Sequence, residues 1–198
     1  MVTADDTGRI NQKKRTRMAI VDACREIIRS GTSVTMPEVA RLALVSEATA
    51  YRYFPDLVSL LNEALAGVWS SPADALAPVA GCRDPVERIA FACEFLLRGV
   101  FANQGGVRAS ISSTIVRPES ARRRPGLRFG LIDQALVPLE DTLGAADPER
   151  LTQLKQDLAA VVSAEAFFSL TDLAGLSPDD AIASLVRTAT TITRAATA

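Results

Sequence analysis

Apolar residues recur at intervals of three and four through most of the chain, which is the spacing of one face of an α-helix. In "TRMAIVDACREIIRSG" the residues Ile20, Cys24, Ile27 and Ile28 follow this spacing, and Gly31 stands where a helix typically ends. "DPVERIAFACEFLLRGVF" repeats the pattern after a proline at its first helical position. The spacing predicts an all-α fold of about nine helices.

One stretch, "VTMPEVARLALVSEATAYRYF" at residues 34–54, contains two helix starts close together. Thr35 and Glu38 have the spacing of a capping box, and Ser46 caps a second short helix that ends before Pro55. The few residues between the two helices allow only a tight turn. Two short helices joined in this way form a helix-turn-helix.

The second helix of this motif has one apolar and one polar face. Val45, Ala50 and Phe54 can face the preceding helices. The outer face then holds Glu47, Ala48, Thr49, Arg52 and Tyr53, with Tyr51 at its margin. Hydroxyls and a guanidinium on an exposed helix suit phosphate oxygens and base edges in a major groove. The alternative is that the aromatic rings only complete the small core; we accept it for Phe54, leave it open for Tyr51 and disfavour it for Tyr53.

Charge is distributed unevenly along the chain. Residues 9–55 hold nine Lys and Arg against four Asp and Glu, a balance of +5, whereas the whole chain has a net charge of −1. A basic end on an acidic body is typical of a protein that binds a polyanion. The candidate phosphate contacts at the start of the first predicted helix are Lys13, Lys14, Arg15 and Arg17. Charge alone leaves a solvated tail equally open.

A second basic cluster, Arg122, Arg123 and Arg124, lies far from the helix-turn-helix in the sequence. For this cluster a solvated turn or ion pairs between helices are the preferred interpretation, because runs of like charge are usually solvated.

Composition excludes several classes of enzyme. The chain contains no histidine, so the Ser-His and Cys-His nucleophile pairs and most zinc sites are excluded. Cys24, Cys82 and Cys93 have no CxxC spacing and are expected to be small core residues, and we expect no cofactor. No apolar run approaches the roughly 18–20 residues of a membrane span, and "MVTADDTGRINQKKRTR" lacks the apolar core of a secretory signal. A cytoplasmic protein without membrane contact is expected.

The stretch "VARLALVSEATAYRYFPDLVSLLNEAL" resembles the DNA-binding region of the TetR family of transcriptional regulators. The family pattern runs roughly A-x-x-A-G-V-S-x-x-T-x-Y-x-(H/Y)-F-x-x-K-x-x-L, and residues 12–65 resemble it directly. By this resemblance Thr49, Tyr51 and Tyr53 match positions that contact DNA, with Arg52 as a plausible addition. Thr35, Glu47 and Ala48 complete the candidate set. The resemblance implies a homodimeric regulator, usually a repressor, that a small-molecule effector releases from palindromic operator DNA.

Two positions depart from the family pattern. Leu44 stands in place of the turn glycine, so a branched residue is expected to adopt a left-handed conformation at a cost of about 1 kcal/mol. Alternatively the turn is slightly remodelled. Leu57 replaces a lysine that would contact phosphate, and compensation by the cations at residues 13–17 is a hypothesis.

The sequence divides into a helix-turn-helix domain at 10–56 and a helical ligand-binding and dimerisation domain at 57–198. Aromatic residues of the second part can line an apolar pocket, although most of them are expected to belong to an ordinary core. The candidate pocket residues are Trp69, Phe91, Phe95, Phe101, Phe129, Glu165 and Phe168. Glu165 lies on an apolar helix face. Its carboxylate must be paired, for instance with Arg187 or Arg194 of a partner subunit, must be solvated, or must contact a cationic ligand.

Two apolar faces near the end of the chain predict a dimer interface. Helices are predicted at 148–172 and 178–195, and their apolar surface exceeds what a single chain of this size is expected to use internally. The candidate interface residues are Leu151, Leu158, Val161, Ile182, Leu185, Val186, Ala189 and Ile192. A small histidine-free helical enzyme and a protein-interaction adaptor with a degenerate helix-turn-helix are the alternative functions.

Overall fold

The computed structural model describes residues 4–66, 69–116 and 126–198, and over these residues it confirms the all-α fold. Arg122, Arg123 and Arg124 lie outside the described residues. The α-helices are α1 Ala4–Ser30, α2 Met36–Leu42, α3 Glu47–Tyr53, α4 Leu57–Ala64, α5 Pro72–Ala75, α6 Pro85–Ala102, α7 Gln104–Val116, α8 Leu127–Leu136, α9 Leu143–Ala146, α10 Pro148–Val161, α11 Ala164–Phe168 and α12 Pro178–Thr197.

Some predicted helices are interrupted, which is why the structure has more helices than expected. The helix predicted at 148–172 ends at Val161, and Ser163 begins α11 because its hydroxyl oxygen accepts a hydrogen bond from the Ala166 N–H at 3.1 Å. A π-helical turn, Ser169–Leu173, follows. A serine that caps a new helix locally competes with continuation of the old one.

The described residues form two compact units. The first contains residues 4–66 and 103–116, and the second contains residues 69–102 and 126–198. In the first unit α2 packs on α3 and α1, and α4 and α7 both pack against α1. The unit around the helix-turn-helix is therefore larger than the predicted domain at 10–56.

The core of the first unit follows the predicted apolar spacing. Ile20, Cys24, Ile27 and Ile28 are buried together with Phe54. Burial raises the pKa of the Cys24 thiol to about 12, which agrees with its expected role as a small core residue. The apolar face of α1 thus holds α2, α3 and α4 in one cluster.

The turn between α2 and α3 has the strained backbone that the sequence predicts. Leu44 has φ 55° and its side chain is 92% exposed. The N–H of Leu44 bonds to the carbonyl of Arg41 at 3.2 Å, and the N–H of Val45 bonds to the carbonyl of Ala40 at 3.0 Å. This is the hydrogen-bond pattern of a Schellman motif, whose left-handed position favours glycine.

We expect Leu44→Gly to stabilise the chain. Relief of the left-handed strain is worth about 1–2 kcal/mol, and the greater freedom of glycine in the unfolded chain offsets about 0.5–1 kcal/mol of it. Urea unfolding should show a net gain of about 0.5–1 kcal/mol in the free energy of unfolding. Leu44→Ala is the control, because it removes the exposed apolar side chain and keeps the Cβ; an equal gain in both variants would exclude backbone strain as the cause.

In the second unit α12 packs against α6 and α10 of the same chain. This packing corrects the expectation that the last helices have more apolar surface than a single chain uses internally. Five of the candidate interface residues are already buried within the chain: Leu151, Leu158, Ile182, Leu185 and Ala189. Val161, Val186 and Ile192 are half-buried. The apolar faces of α10 and α12 are largely used inside one subunit, so homodimerisation stays a prediction that needs other support.

The remaining cysteines differ from each other. Cys93 is buried in α6, and burial raises the pKa of its thiol to about 12. Cys82 was expected in the core but is only half-buried, because it lies in the turn before α6. Its sulfur is 3.0 Å from the carboxylate of Glu87, which belongs to α6. That hydrogen bond to Glu87 raises the pKa of the Cys82 thiol.

Over residues 4–66, 69–116 and 126–198, no helix combines the length and the apolar character needed to cross a bilayer. Within the same residues, no cluster of three or more cysteine, aspartate or glutamate side chains is placed to hold a metal ion.

Candidate nucleic-acid interface

Side-chain caps fix the two helices of the helix-turn-helix. The Thr35 hydroxyl oxygen accepts a hydrogen bond from the Glu38 N–H at 3.4 Å, as expected for a cap of α2. The Glu38 carboxylate pairs with Arg41, and this contact holds the pKa of the carboxyl below its usual range. The side chain of Glu38 thus pairs with Arg41, one turn further along α2.

The start of α3 is held more firmly. The Ser46 hydroxyl oxygen accepts from the Thr49 N–H at 3.2 Å, and the same hydroxyl donates to Thr49 Oγ1 at 2.9 Å. Because Thr49 Oγ1 accepts this bond, its own hydroxyl hydrogen can still donate to an external oxygen. The cap therefore sets the position of a side chain that was predicted to contact DNA.

The predicted outer face of α3 is largely confirmed. Glu47, Ala48 and Arg52 are exposed, and Tyr51 is 47% exposed, while Thr49 and Tyr53 are half-buried. Ala50 and Phe54 are buried, as expected. The order of the two tyrosines is the reverse of the prediction: Tyr53 packs partly against the core and Tyr51 lies further out. The reason is that Tyr53 is three residues after the buried Ala50 and shares its face of α3, whereas Tyr51 directly follows Ala50 and points to another side.

The cations at residues 13–17 lie within α1, because this helix begins at Ala4 and not shortly before them. These residues therefore lie on a helix and not in an irregular tail, and their contact with phosphate stays a prediction. Lys13, Lys14 and Arg15 are exposed. Arg17 differs, because its guanidinium forms an ion pair with Glu63 of α4.

A groove of about 440 Å³ separates α1 from α3 in the first unit. Its lining residues are Gln12, Lys13, Thr16, Val45, Ser46, Thr49, Arg52 and Tyr53. None of them is acidic, and two are cations on opposite walls. Hydroxyls, an amide and two cations around an open groove are the donors that bind a sugar-phosphate backbone.

Gln12 and Thr16 were missed in the sequence analysis. They are four residues apart on α1 and therefore share a face with Lys13. The spacing of these two residues indicates a shared helix face with Lys13 only when the first helix is predicted to begin before Lys13, as α1 does.

Two other candidates, Thr35 and Tyr51, lie around a second groove of about 430 Å³ in the same unit. Its lining residues are Thr35, Met36, Pro37, Tyr51, Pro55, Asp56, Leu57, Val58, Ser112 and Ser113. The remaining candidates line neither groove: Lys14, Arg15, Arg17, Glu47 and Ala48. The structure thus brings Lys13, Thr49, Arg52 and Tyr53 together on one groove and Thr35 and Tyr51 together on the other. Leu57, which replaces the family lysine, begins α4 behind the Asp56 cap and is half-buried, so it contributes an apolar wall.

The candidate ligand-pocket residues lie in the second unit and have different environments. Phe168 is buried and its ring lies 5.5 Å from that of Phe167, which is 6.4 Å from the Phe101 ring. Phe101 and Phe129 are exposed, while Trp69, Phe91 and Phe95 are half-buried. A Cβ at Gly99 would overlap the Trp69 ring, so the absence of a side chain at Gly99 lets this indole pack closely against α6.

Glu165 is paired within its own chain. Its Oε2 lies 3.1 Å from Nη1 of Arg128, which belongs to α8. The sequence indicated that this carboxylate needs a partner, and that expectation is met. The partner is Arg128 of the same unit and not Arg187 or Arg194 of a second subunit, as the sequence had suggested.

Comparison with known proteins gives no relative: no protein-family model, no curated protein and no solved structure matches the chain.

Proposed function

We propose that this chain is a sequence-specific DNA-binding transcriptional regulator, as its resemblance to the TetR family implies. The observation that carries the proposal is the position of α3. This helix is capped by Ser46, exposes Glu47, Ala48, Tyr51 and Arg52, and borders the acid-free groove that also contains Lys13.

The dimensions of α3 suit the major groove of DNA. An α-helix with its side chains is about 10–12 Å across, and the major groove, about 12 Å wide, admits it. Exposed side chains of α3 would contact base edges, while Lys13 and Arg52 would contact phosphates on either side of the groove between α1 and α3. Base contacts supply specificity, and phosphate contacts supply affinity and orientation.

Three further parts of the proposal rest on the resemblance. We propose that the protein acts as a homodimer on a palindromic operator, that it represses transcription in the cytoplasm, and that a small molecule bound in the second unit releases it. A dimer would present two copies of α3 about one helical turn, near 34 Å, apart on the same face of DNA.

The test begins with selection of bound fragments from random duplex DNA and continues with two sets of variants. Thr49→Ala should change the selected sequence, because Thr49 lies on α3. Lys13→Ala with Lys14→Ala should weaken binding to every sequence and should lower the slope of log K against log salt by about 0.9 for each lost phosphate contact.

The matched control is Arg83→Ala with Arg98→Ala, which removes two exposed cations from the second unit. This variant should bind DNA as the wild type does. If the control and the lysine variant weaken binding equally, only net charge matters and the proposed groove does not bind phosphate. Turnover of a small substrate without DNA affinity would favour the enzyme, and tight protein partners without DNA preference would favour the adaptor.

A further inference from the structure

Arg17 was predicted to contact phosphate, yet its guanidinium, although exposed, forms several contacts with groups of its own chain. Nε donates to Oε1 of Glu63 at 2.8 Å, and Nη2 pairs with the other carboxylate oxygen of Glu63. Nη1 donates to the backbone carbonyl of Tyr53 at 3.3 Å. The centre of the guanidinium lies 4.4 Å from the centroid of the Phe54 ring.

These contacts meet at the carboxyl end of α3. Tyr53 is the last residue of that helix, Phe54 follows it, and Glu63 belongs to α4. The last carbonyls of a helix lack partners within the helix, and a cation there also complements the helix dipole. Because a helix of seven residues is unstable on its own, outside contacts decide where it lies.

We infer that Arg17 and Glu63 form a positioning pair for α3 and that Arg17 is not a phosphate contact. The carboxylate holds the guanidinium fork in a bidentate geometry, and the third donor of the fork then fixes the Tyr53 carbonyl. The side chains that we propose to contact DNA, Thr49 and Arg52, lie within the two turns before that carbonyl. The pair therefore sets the angle at which α3 enters the major groove, and this inference rests on the proposed function.

The two roles of Arg17 predict opposite effects for Glu63→Gln. If Arg17 contacts phosphate, loss of the neighbouring carboxylate frees its charge and strengthens binding to all DNA. If Arg17 positions α3, loss of the carboxylate releases the fork and weakens binding to the selected site alone. An exposed ion pair contributes little to global stability, so the fold should persist in either case.

The first experiment measures affinity for the selected site and for random duplex DNA, at several salt concentrations. The variants are Arg17→Ala, Glu63→Gln and their combination. We expect the ratio of the two affinities to fall about tenfold in all three, without further loss in the double variant because the residues act as one unit. The salt slope should stay at the wild-type value.

Arg25→Ala is the matched control. Arg25 also joins α1 to α4, since its Nε donates to the Ala64 carbonyl at 2.9 Å. Its Nη1 pairs with Asp22 of α1 and not with a residue of α3. This variant should keep the wild-type ratio. Arg17→Lys keeps the charge but not the fork, and it should behave like Arg17→Ala.

Hydrogen exchange supplies a readout that needs no DNA. The Phe54 N–H bonds to the Ala50 carbonyl at 2.9 Å and closes the last turn of α3. Its exchange should be faster in Arg17→Ala and Glu63→Gln than in the wild type or in Arg25→Ala. Unchanged exchange in both variants would overturn the inference.

The outcomes separate this inference from the proposed function. A wild type that binds both DNAs equally refutes the proposed function and, with it, the role of the pair in reading DNA. Hydrogen exchange at the Phe54 N–H still shows in that case whether the pair holds the end of α3. If the wild type prefers the selected site, two results would overturn the inference alone. One is tighter DNA binding by Glu63→Gln, and the other is a salt slope lowered by about 0.9 in Arg17→Ala.

Discussion

Replacement of Arg88 by alanine is expected to lower the free energy of unfolding by about 3–5 kcal/mol, because several carbonyls lose a charged donor and each hydrogen bond to a charged group contributes about 1.5–3 kcal/mol. Arg88 is only 3% exposed. Its Nε donates to the Ala135 carbonyl at 2.9 Å and its Nη2 to the Gln134 carbonyl at 2.6 Å. Its Nη1 donates to the Val79 carbonyl at 2.7 Å, with longer contacts to two further carbonyls.

These bonds join three elements through one side chain. Arg88 lies in the first turn of α6, and its partners belong to the last turn of α8 and to the segment that precedes α6. Without the guanidinium, carbonyls in and around a buried site would lose their donor, and each unsatisfied buried group costs about 1–3 kcal/mol. Arg88→Met, which keeps the apolar stem and removes the donors, should be almost as destabilising as Arg88→Ala.

Arg98 provides the control on the same helix. It is exposed and forms ion pairs with Glu94 and Asp179. Arg98→Ala should leave the urea midpoint close to that of the wild type, because exposed ion pairs contribute little. A midpoint for Arg88→Ala that matches the midpoint for Arg98→Ala would contradict the structural role of the buried arginine.

Leu185→Glu is expected to unfold the second unit. Leu185 is 6% exposed on α12, which packs against α6 and α10 within one chain. A carboxylate at this position would lose several kcal/mol through desolvation without a partner, a large part of the roughly 5–15 kcal/mol that stabilises a typical domain. Far-UV circular dichroism and urea unfolding should show loss of helix and of the cooperative transition.

Val186→Glu is the matched control, because Val186 is the next residue and is half-buried. It should fold, and its sedimentation shows whether that side of α12 is also an interface between subunits. If Leu185→Glu yields a folded, helical monomer, Leu185 belongs to a dimer interface as the sequence suggested, and the packing of α12 within one chain is contradicted.

The sequence predicted features that depend on near neighbours along the chain. Thr35 and Ser46 each cap the helix expected of them, because a cap and its N–H partner are three residues apart. The left-handed conformation of Leu44 was one of two alternatives left open by its match to the turn glycine of the family pattern, and the structure has that conformation. The outer face of α3 followed from helical periodicity.

The features that the sequence did not reveal are contacts between distant segments. Arg88 bonds to carbonyls 46 and 47 residues away, and nothing in its local sequence distinguishes it from an exposed arginine. Glu165 was recognised as needing a partner, but Arg128 is 37 residues away. The excess of apolar surface expected on α12 was misjudged for the same reason, since helical periodicity shows an apolar face without showing what covers it.

The central claim is that the first unit reads duplex DNA through α3. The measurement that tests it most directly is the affinity of the wild type, at physiological salt, for its selected site and for random duplex DNA of equal length. The account predicts a ratio of at least about 10³, within the range typical of specific DNA-binding proteins, and a site with two half-sites centred about one helical turn apart. Equal affinity for both DNAs, or failure of the selection to enrich any sequence, would contradict it.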